Sequence, residues 1–261
     1  MKTSSISFIG AGNLAWHLAP ALDNTDYFVR EVFSRNKKNA VDLVAKLYEG
    51  EVAESLDFSQ SKSEIFILAV PDDSIEEIVE ELIIPDHTIL AHTSGSKPLS
   101  ILENSITPNI GVLYPLQTFS KGKMVDLKDV PFFIEGENEK TEDTLLRLAK
   151  AITNEPYKLP SDKRKILHLS AVFASNFTNH MVAIADEIMT RNKMDFEWLK
   201  PLIAETLNKS LEIGPDMAQT GPARRGDLEI LDSHMTVLQK HAELQEIYRL
   251  ISQHILDKYQ T

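Results

Sequence analysis

The sequence predicts an α/β fold: a Rossmann-like, doubly wound parallel sheet followed by a smaller all-α domain. Three observations predict it. Short β-rich runs alternate with helical stretches over the first 160 residues, a glycine turn joins the first strand to the first helix, and residues 161–261 read as helix. The chain's 261 residues are 43% hydrophobic and 25% charged, with 10 Gly and 12 Pro. That composition supports a sizeable core and excludes collagen-like or disordered architectures, while the length suits two domains.

The strand candidates, in order, are residues 6–9, 28–33, 64–70, 88–92, 109–114 and 132–135. Several are continuously apolar, as strands covered by helices on both faces are. Helical spacing falls between them at 14–22, 37–47, 74–82, 98–102 and 141–151. Thr153-Asn154-Glu155-Pro156 and Leu159-Pro160-Ser161-Asp162 then break the pattern, so residues 1–160 form one domain and 161–261 the other. Ser161 or Asp162 caps a helix reaching about Arg191, and residues 196–213 form a second helix. A loop over 214–227 leads to an amphipathic helix at 233–258. Its Met235, Val237, Leu238, Leu244, Ile247, Leu250, Ile251 and Ile255 suit packing on the first long helix or across a homodimer seam.

Charge and composition narrow the function. With 27 Lys and Arg against 39 Asp and Glu, the net charge of −12 repels nucleic acid. The absence of cysteine excludes disulfides, thiol nucleophiles and thiolate-bound metal, and no metal site is expected. Met1-Lys2-Thr3-Ser4-Ser5 runs straight into a strand, without a signal-peptide pattern, and no apolar run is long enough to cross a membrane. A cytoplasmic protein without a membrane partner is expected.

Gly10-Ala11-Gly12-Asn13-Leu14-Ala15 follows the first strand and opens the first helix, the G-x-G-x-x-A pattern of dinucleotide-binding turns. Gly10 permits the tight turn, and Gly12 lets the backbone approach a pyrophosphate. The helix N-terminus supplies free N–H groups and partial positive charge. A tight turn that binds nothing is the alternative. The end of the second strand separates NAD from NADP. A carboxylate there would take the ribose hydroxyls, yet Glu31 lies inside the strand and Ser34-Arg35-Asn36 stand at its tip. Arginine's fork of donors suits a phosphate, so NADP(H) is preferred over NAD. Ligands bind beyond the carboxyl ends of the strands, which brings in Val70, Pro71, His92 and Ser94 as cofactor contacts and Gln117 on the substrate side.

On the helix over 162–191, His168, Val172, Ser175, Asn179 and Asp186 share a narrow arc at 100° per residue, with Asn176 at its edge. Such a stripe reads as a lined cleft or a buried polar seam. His168, with Asn176, is the catalytic candidate, as acid or hydrogen-bond donor to a carbonyl or imine, and Ser175 and Asn179 are substrate contacts. A satisfied structural histidine is the other reading. Arg225, in Gly221-Pro222-Ala223-Arg224-Arg225-Gly226-Asp227, could hold a substrate carboxylate, or could simply pair with surface carboxylates.

Together, Ile9-Gly10-Ala11-Gly12-Asn13-Leu14-Ala15, Phe33-Ser34-Arg35-Asn36, Ala69-Val70-Pro71-Asp72, His92-Thr93-Ser94-Gly95, Tyr114-Pro115-Leu116-Gln117-Thr118-Phe119, His168 with the 171–177 run, and Thr220 through Asp227 carry a resemblance. The chain resembles a bacterial family of NADP oxidoreductases of unassigned substrate, in which a Rossmann-like domain precedes a helical domain of unknown function. That family is similar to pyrroline-5-carboxylate reductases and deazaflavin-dependent NADP oxidoreductases, and more distantly to 6-phosphogluconate-type dehydrogenases. The resemblance implies an NADP-binding first domain and a helical domain that often mediates dimerisation. Tyr114 departs from it, standing where the family pattern has histidine. The function read from the sequence is NADP(H)-dependent reduction of a small carbonyl or imine compound, 2-oxo acids included. The alternative is a non-catalytic NADP-binding sensor or scaffold.

Overall fold

A computed structural model describes residues 4–260, and the chain divides into compact units between Ser175 and Asn176. The first unit is built on strands β1 (Ser4–Ile9), β2 (Tyr27–Phe33), β3 (Glu51–Val52), β4 (Ile65–Leu68), β5 (Ile89–His92), β6 (Ile110–Pro115), β7 (Phe132–Gly136) and β8 (Pro156–Lys158). They form one sheet in the order β3-β2-β1-β4-β5-β6-β7-β8. Helices α1 (Asn13–Asp23), α2 (Lys37–Val44), α3 (Ile75–Glu81), α4 (Glu139–Lys150) and α5 (Ser161–Ala171) complete the unit.

Side-chain alternation along the strands divides the core between the two sheet faces. In β4, Ile65 and Ile67 join Leu18 and Leu22 of α1 in one cluster, while Phe66 and Leu68 join Ile75 and Ile78 of α3 in the other. The pairing is parallel from β3 through β6, as the continuously apolar strands imply. At β7 the chain reverses: β7 runs antiparallel to β6, and β8 pairs parallel with β7. A parallel return normally needs a crossover helix, and residues 116–131 form neither helix nor strand, so the chain comes back down beside β6. Strands β3 and β8 were not expected from the sequence; at two and three residues they are too short to show a period.

The domain change expected at 160 coincides with the switch from sheet to helix. Division by compactness comes later, because Arg164 and Ser161 tie α5 to the first unit through Glu135. The helical stretch expected to reach Arg191 contains a π segment at Val172–Phe177, which inserts an extra residue into a turn and so breaks the uniform 100° arc.

The second unit contains α6 (Thr178–Arg191), α7 (Lys200–Ile213), α8 (Pro215–Ala218), α9 (Pro222–Arg225), α10 (Leu228–Val237) and α11 (Ala242–Tyr259). Two differences from expectation stand out. The 214–227 loop holds two one-turn helices, each beginning with a proline after a positive-φ glycine, Gly214 and Gly221. The expected terminal helix is two helices, α10 and α11. Six residues of unbroken helix would set Leu238 and Leu244 about 120° apart around the axis, whereas the intervening turn lets both line one apolar cavity with Leu231, Ile251 and Ile255. Among the described residues no helix is long and apolar enough to cross a membrane.

Candidate functional site

The strand order reverses between β1 and β4, and a cleft of about 260 Å³ opens at the carboxyl ends of these strands. Gly10 sits at φ +108, its N–H bonded to the Phe33 carbonyl at 2.8 Å, and a Cβ there would lie 2.2 Å from the Ala69 carbonyl oxygen. A side chain is excluded at that position by both conformation and space. Gly12 is the opposite case: a Cβ there would meet nothing within 4 Å. No side chain caps the N-terminus of α1 behind it, so that end of the helix faces open space with its N–H groups unclaimed by a cap.

Gly10, Ala11, Gly12, Ser34, Arg35, Val70 and Pro71 line the cleft, so the structure gathers most of the expected cofactor contacts in one place. Asn39, Ser74 and Ile78 line it as well. These three escaped the sequence reading because they sit one turn inside or just before helices whose visible pattern is apolar. Asn13 and Leu14 are the first residues of α1 and are not on the wall. Asn36 caps α2, accepting from the Lys38 N–H at 3.1 Å. The Arg35 guanidinium is exposed and bonds Glu77 at 2.6 Å. Glu31 is engaged within the sheet, accepting from Ser7 at 2.7 Å and from Ser61.

A second cluster surrounds the ends of β5 and β6. His92 is fully buried: Ser94 N–H donates to its Nδ1 at 3.1 Å, which leaves Nε2 to donate to the Pro98 carbonyl at 3.3 Å. Both ring nitrogens are therefore committed to the turn that follows the strand. Ser94 Oγ accepts from the N–H groups of Ser96 and Lys97, and Ser96 donates to Asp72 at 2.5 Å, joining the loops after β4 and β5. Burial, reinforced by the nearby Arg164 charge, pulls the His92 pKa down to about 4 from its ordinary 6.5. The unfolded chain then takes up this proton first. Stability attached to the ring is complete above about pH 6.5 and is lost as the pH falls towards 4. Melting curves across that range should show a shallower pH slope in His92→Asn, whose side-chain oxygen can still accept from Ser94; equal slopes would assign the acid sensitivity elsewhere.

Tyr114, at the end of β6, brings its hydroxyl within 3.1 Å of His168 Nδ1 on α5. Four residues earlier on that helix, Arg164 is fully buried. It bonds Glu135 at 2.5 Å, the Lys97 carbonyl at 2.6 Å and Ser161 Oγ at 3.1 Å. Ser161, expected as a helix cap, instead donates to Glu135 and accepts from the Leu99 N–H. This network pins the 93–99 turn to the helix that carries His168. An arginine in a polar first turn reads as solvated, and its partner lies 29 residues earlier in sequence, so nothing local signalled it.

The remaining candidates lie in other elements. Gln117 is exposed after β6, its side chain accepting from the Thr118 N–H. Ser175 is half-buried at the end of the first unit, while Asn176 and Asn179 are exposed residues of the second. Arg225 is paired with Asp227 in its own loop at 2.8 Å, so Asp227 gives α10 no side-chain cap.

Residues 2–116 match the Rossmann-like domain family, and residues 130–255 match the family described as a domain of unknown function, DUF2520. A Bacteroides fragilis protein described as an NADP oxidoreductase is 37% identical, with a TM-score of 0.89 over 98% of this chain and 99% of that one. A reductive aminase from Aspergillus terreus, solved with NADPH and ethyl levulinate, is 13% identical with a TM-score of 0.72 over 98% and 94% of the two chains. Pyrroline carboxylate reductase from Plasmodium falciparum, solved with NADP, is 13% identical with a TM-score of 0.58 over 99% and 98%. The last two likenesses are of fold. No curated protein sequence matches the chain.

Proposed function

The chain belongs to the family that joins a Rossmann-like domain to the DUF2520 domain, and we propose that it is an NADP(H)-dependent oxidoreductase that reduces a small carbonyl or imine compound. One observation carries the reading: the dinucleotide cleft ends on Ser34 and Arg35, while Glu31, the carboxylate of the second strand, is already occupied by Ser7 and Ser61. The open space over Gly12 and the uncapped start of α1 fit a pyrophosphate, and Arg35 fits the adenosine phosphate. The names of the NADP oxidoreductase, reductive aminase and pyrroline carboxylate reductase support an oxidoreductase using this cofactor.

The cofactor, when bound, supplies the hydride. What the chain must add is orientation and a proton or hydrogen bond. His168, braced by Tyr114, is the residue assigned to that task. Asn176 as a second catalytic group and Ser175, Asn179, Gln117 and Arg225 as substrate contacts belong to the same proposal; Arg225 would exchange Asp227 for a substrate carboxylate. So does the homodimer, supported by α7 and α11, neither of which contains a buried residue; the mass in solution decides it.

The test is oxidation of NADPH by the purified protein with a panel of small ketones, 2-oxo acids and ketone–amine mixtures. Turnover on at least one class is expected, with His168→Ala slower by roughly 10²–10⁴-fold. Binding of NADPH without oxidation on any class would replace the reductase by a cofactor-binding sensor or scaffold.

A further inference from the structure

Only 8% of the Tyr114 surface is exposed, and its ring meets His168 edge to face with centroids 6.0 Å apart. Gly95 closes over the junction. A Cβ at that position would fall 2.6 Å from both His168 Nδ1 and Tyr114 Cζ, so the glycine lets the backbone rest on the hydrogen bond itself. Among the described residues, Tyr114 Oη and His168 Nδ1 have each other as hydrogen-bond partners, whereas Nε2 has none and is not sealed from solvent.

Two arrangements fit a 3.1 Å contact between a phenol and a neutral imidazole. If Nδ1 carried the proton and donated to the phenol oxygen, the phenol's own proton would have no acceptor among the described residues. A hydroxyl in so buried a residue would then forfeit a hydrogen bond. If the phenol donates to Nδ1, its proton is satisfied and the ring proton must reside on Nε2. The charged groups whose fields reach the phenol are Arg164, on α5, and Asp72, in the loop after β4. Burial raises the phenol above its ordinary pKa, so it keeps its proton at neutral pH. On β5, beside β6, His92 is neutral and committed to Pro98.

We propose that Tyr114 is a positioning residue that fixes the tautomer of His168, holding Nδ1 as acceptor and keeping the proton on Nε2 as the donor offered to a substrate carbonyl or imine. The substrate clause rests on the reductase reading; the tautomer does not. The phenol thereby fills, from the strand, the position that departs from the family's histidine.

The experiment is a long-range proton–nitrogen correlation spectrum of ¹⁵N-histidine-labelled protein at a pH where the ring is neutral, with the His168 signals identified by their loss in His168→Gln. The expected spectrum has Nδ1 unprotonated and Nε2 protonated. Tyr114→Phe should move the tautomer ratio about fivefold towards Nδ1–H, the effect of losing one ordinary hydrogen bond. Gly95→Ala retains the phenol but forces the rings apart, and should move the ratio the same way; far-ultraviolet circular dichroism confirms that both variants are folded. A proton on Nδ1 in the wild type, or a ratio unmoved in both folded variants, overturns the proposal. NADPH titration of the same samples separates the two readings. A proton on Nε2 without NADPH binding upholds the role of Tyr114 and removes only the reductase, whereas NADPH binding with the proton on Nδ1 overturns the proposal and leaves the reductase standing.

Discussion

Arg35→Ala is expected to weaken NADPH binding by roughly ten- to a hundredfold, the worth of losing charge-assisted hydrogen bonds to a phosphate, and to leave NADH binding unchanged. The asymmetry follows from what Arg35 has to give up. In the free protein its guanidinium meets Glu77 at 2.6 Å, with both side chains more than half exposed. An exposed pair of that kind contributes about 0–1 kcal/mol, less than a bidentate phosphate returns. NADH lacks the phosphate and offers the arginine nothing in exchange. Glu77→Gln should accordingly strengthen NADPH binding modestly by freeing the guanidinium, and the preference for NADPH should narrow as salt is added. Fluorescence titration of the reduced nicotinamide against both cofactors measures all of this. An equal loss for NADH and NADPH in Arg35→Ala would move the adenosine phosphate away from Ser34 and Arg35.

The parts of this molecule legible in the sequence are those whose causes are local. Gly10 needs a backbone conformation that L side chains rarely adopt and an absent Cβ, and both requirements leave a glycine next to a strand. The six strands from β1 to β7 that were expected are β-rich runs long enough to stand out, and strand–helix alternation implies parallel pairing up to β6. The direction of β7 was not legible, because Phe132–Gly136 has the same side-chain pattern whichever way it runs. Pairs far apart in sequence were equally hidden. Tyr114 registered only as a departure from the family pattern, and a contact spanning 54 residues shows the phenol engaged. His92 read as a ligand contact because it ends a strand at the binding edge; the folded chain turns that ring inward. The polar stripe from His168 to Asp186 assumed one helical period, and the π segment at Val172–Phe177 changes that period midway.

The largest loss of stability is expected from Glu135→Leu, at about 3–5 kcal/mol, because it strands a buried charge. Arg164 is fully enclosed, and after the substitution its guanidinium would keep the Lys97 carbonyl and Ser161 hydroxyl without any counter-charge at bonding distance among the described residues. For a unit of this size that corresponds to a melting temperature lower by roughly 6–20 °C. Arg164→Met should be milder, since Glu135 keeps two bonds from Ser161 and its side chain, 17% exposed, is less enclosed than the arginine's. The double variant should recover much of the loss, because exchanging a whole buried pair for apolar side chains leaves no orphaned charge. Melts of the three variants test this ordering, and a Glu135→Leu protein that melts with the wild type would refute it. The double variant also separates stability from positioning. It removes the guanidinium that anchors the Lys97 carbonyl, and with it the restraint pressing Gly95 onto Tyr114 and His168, while the cleft lined by Gly10, Gly12 and Arg35 is untouched. Wild-type melting and NADPH affinity with lost turnover would assign the ion pair to holding His168 in place; retained turnover would assign it to stability alone.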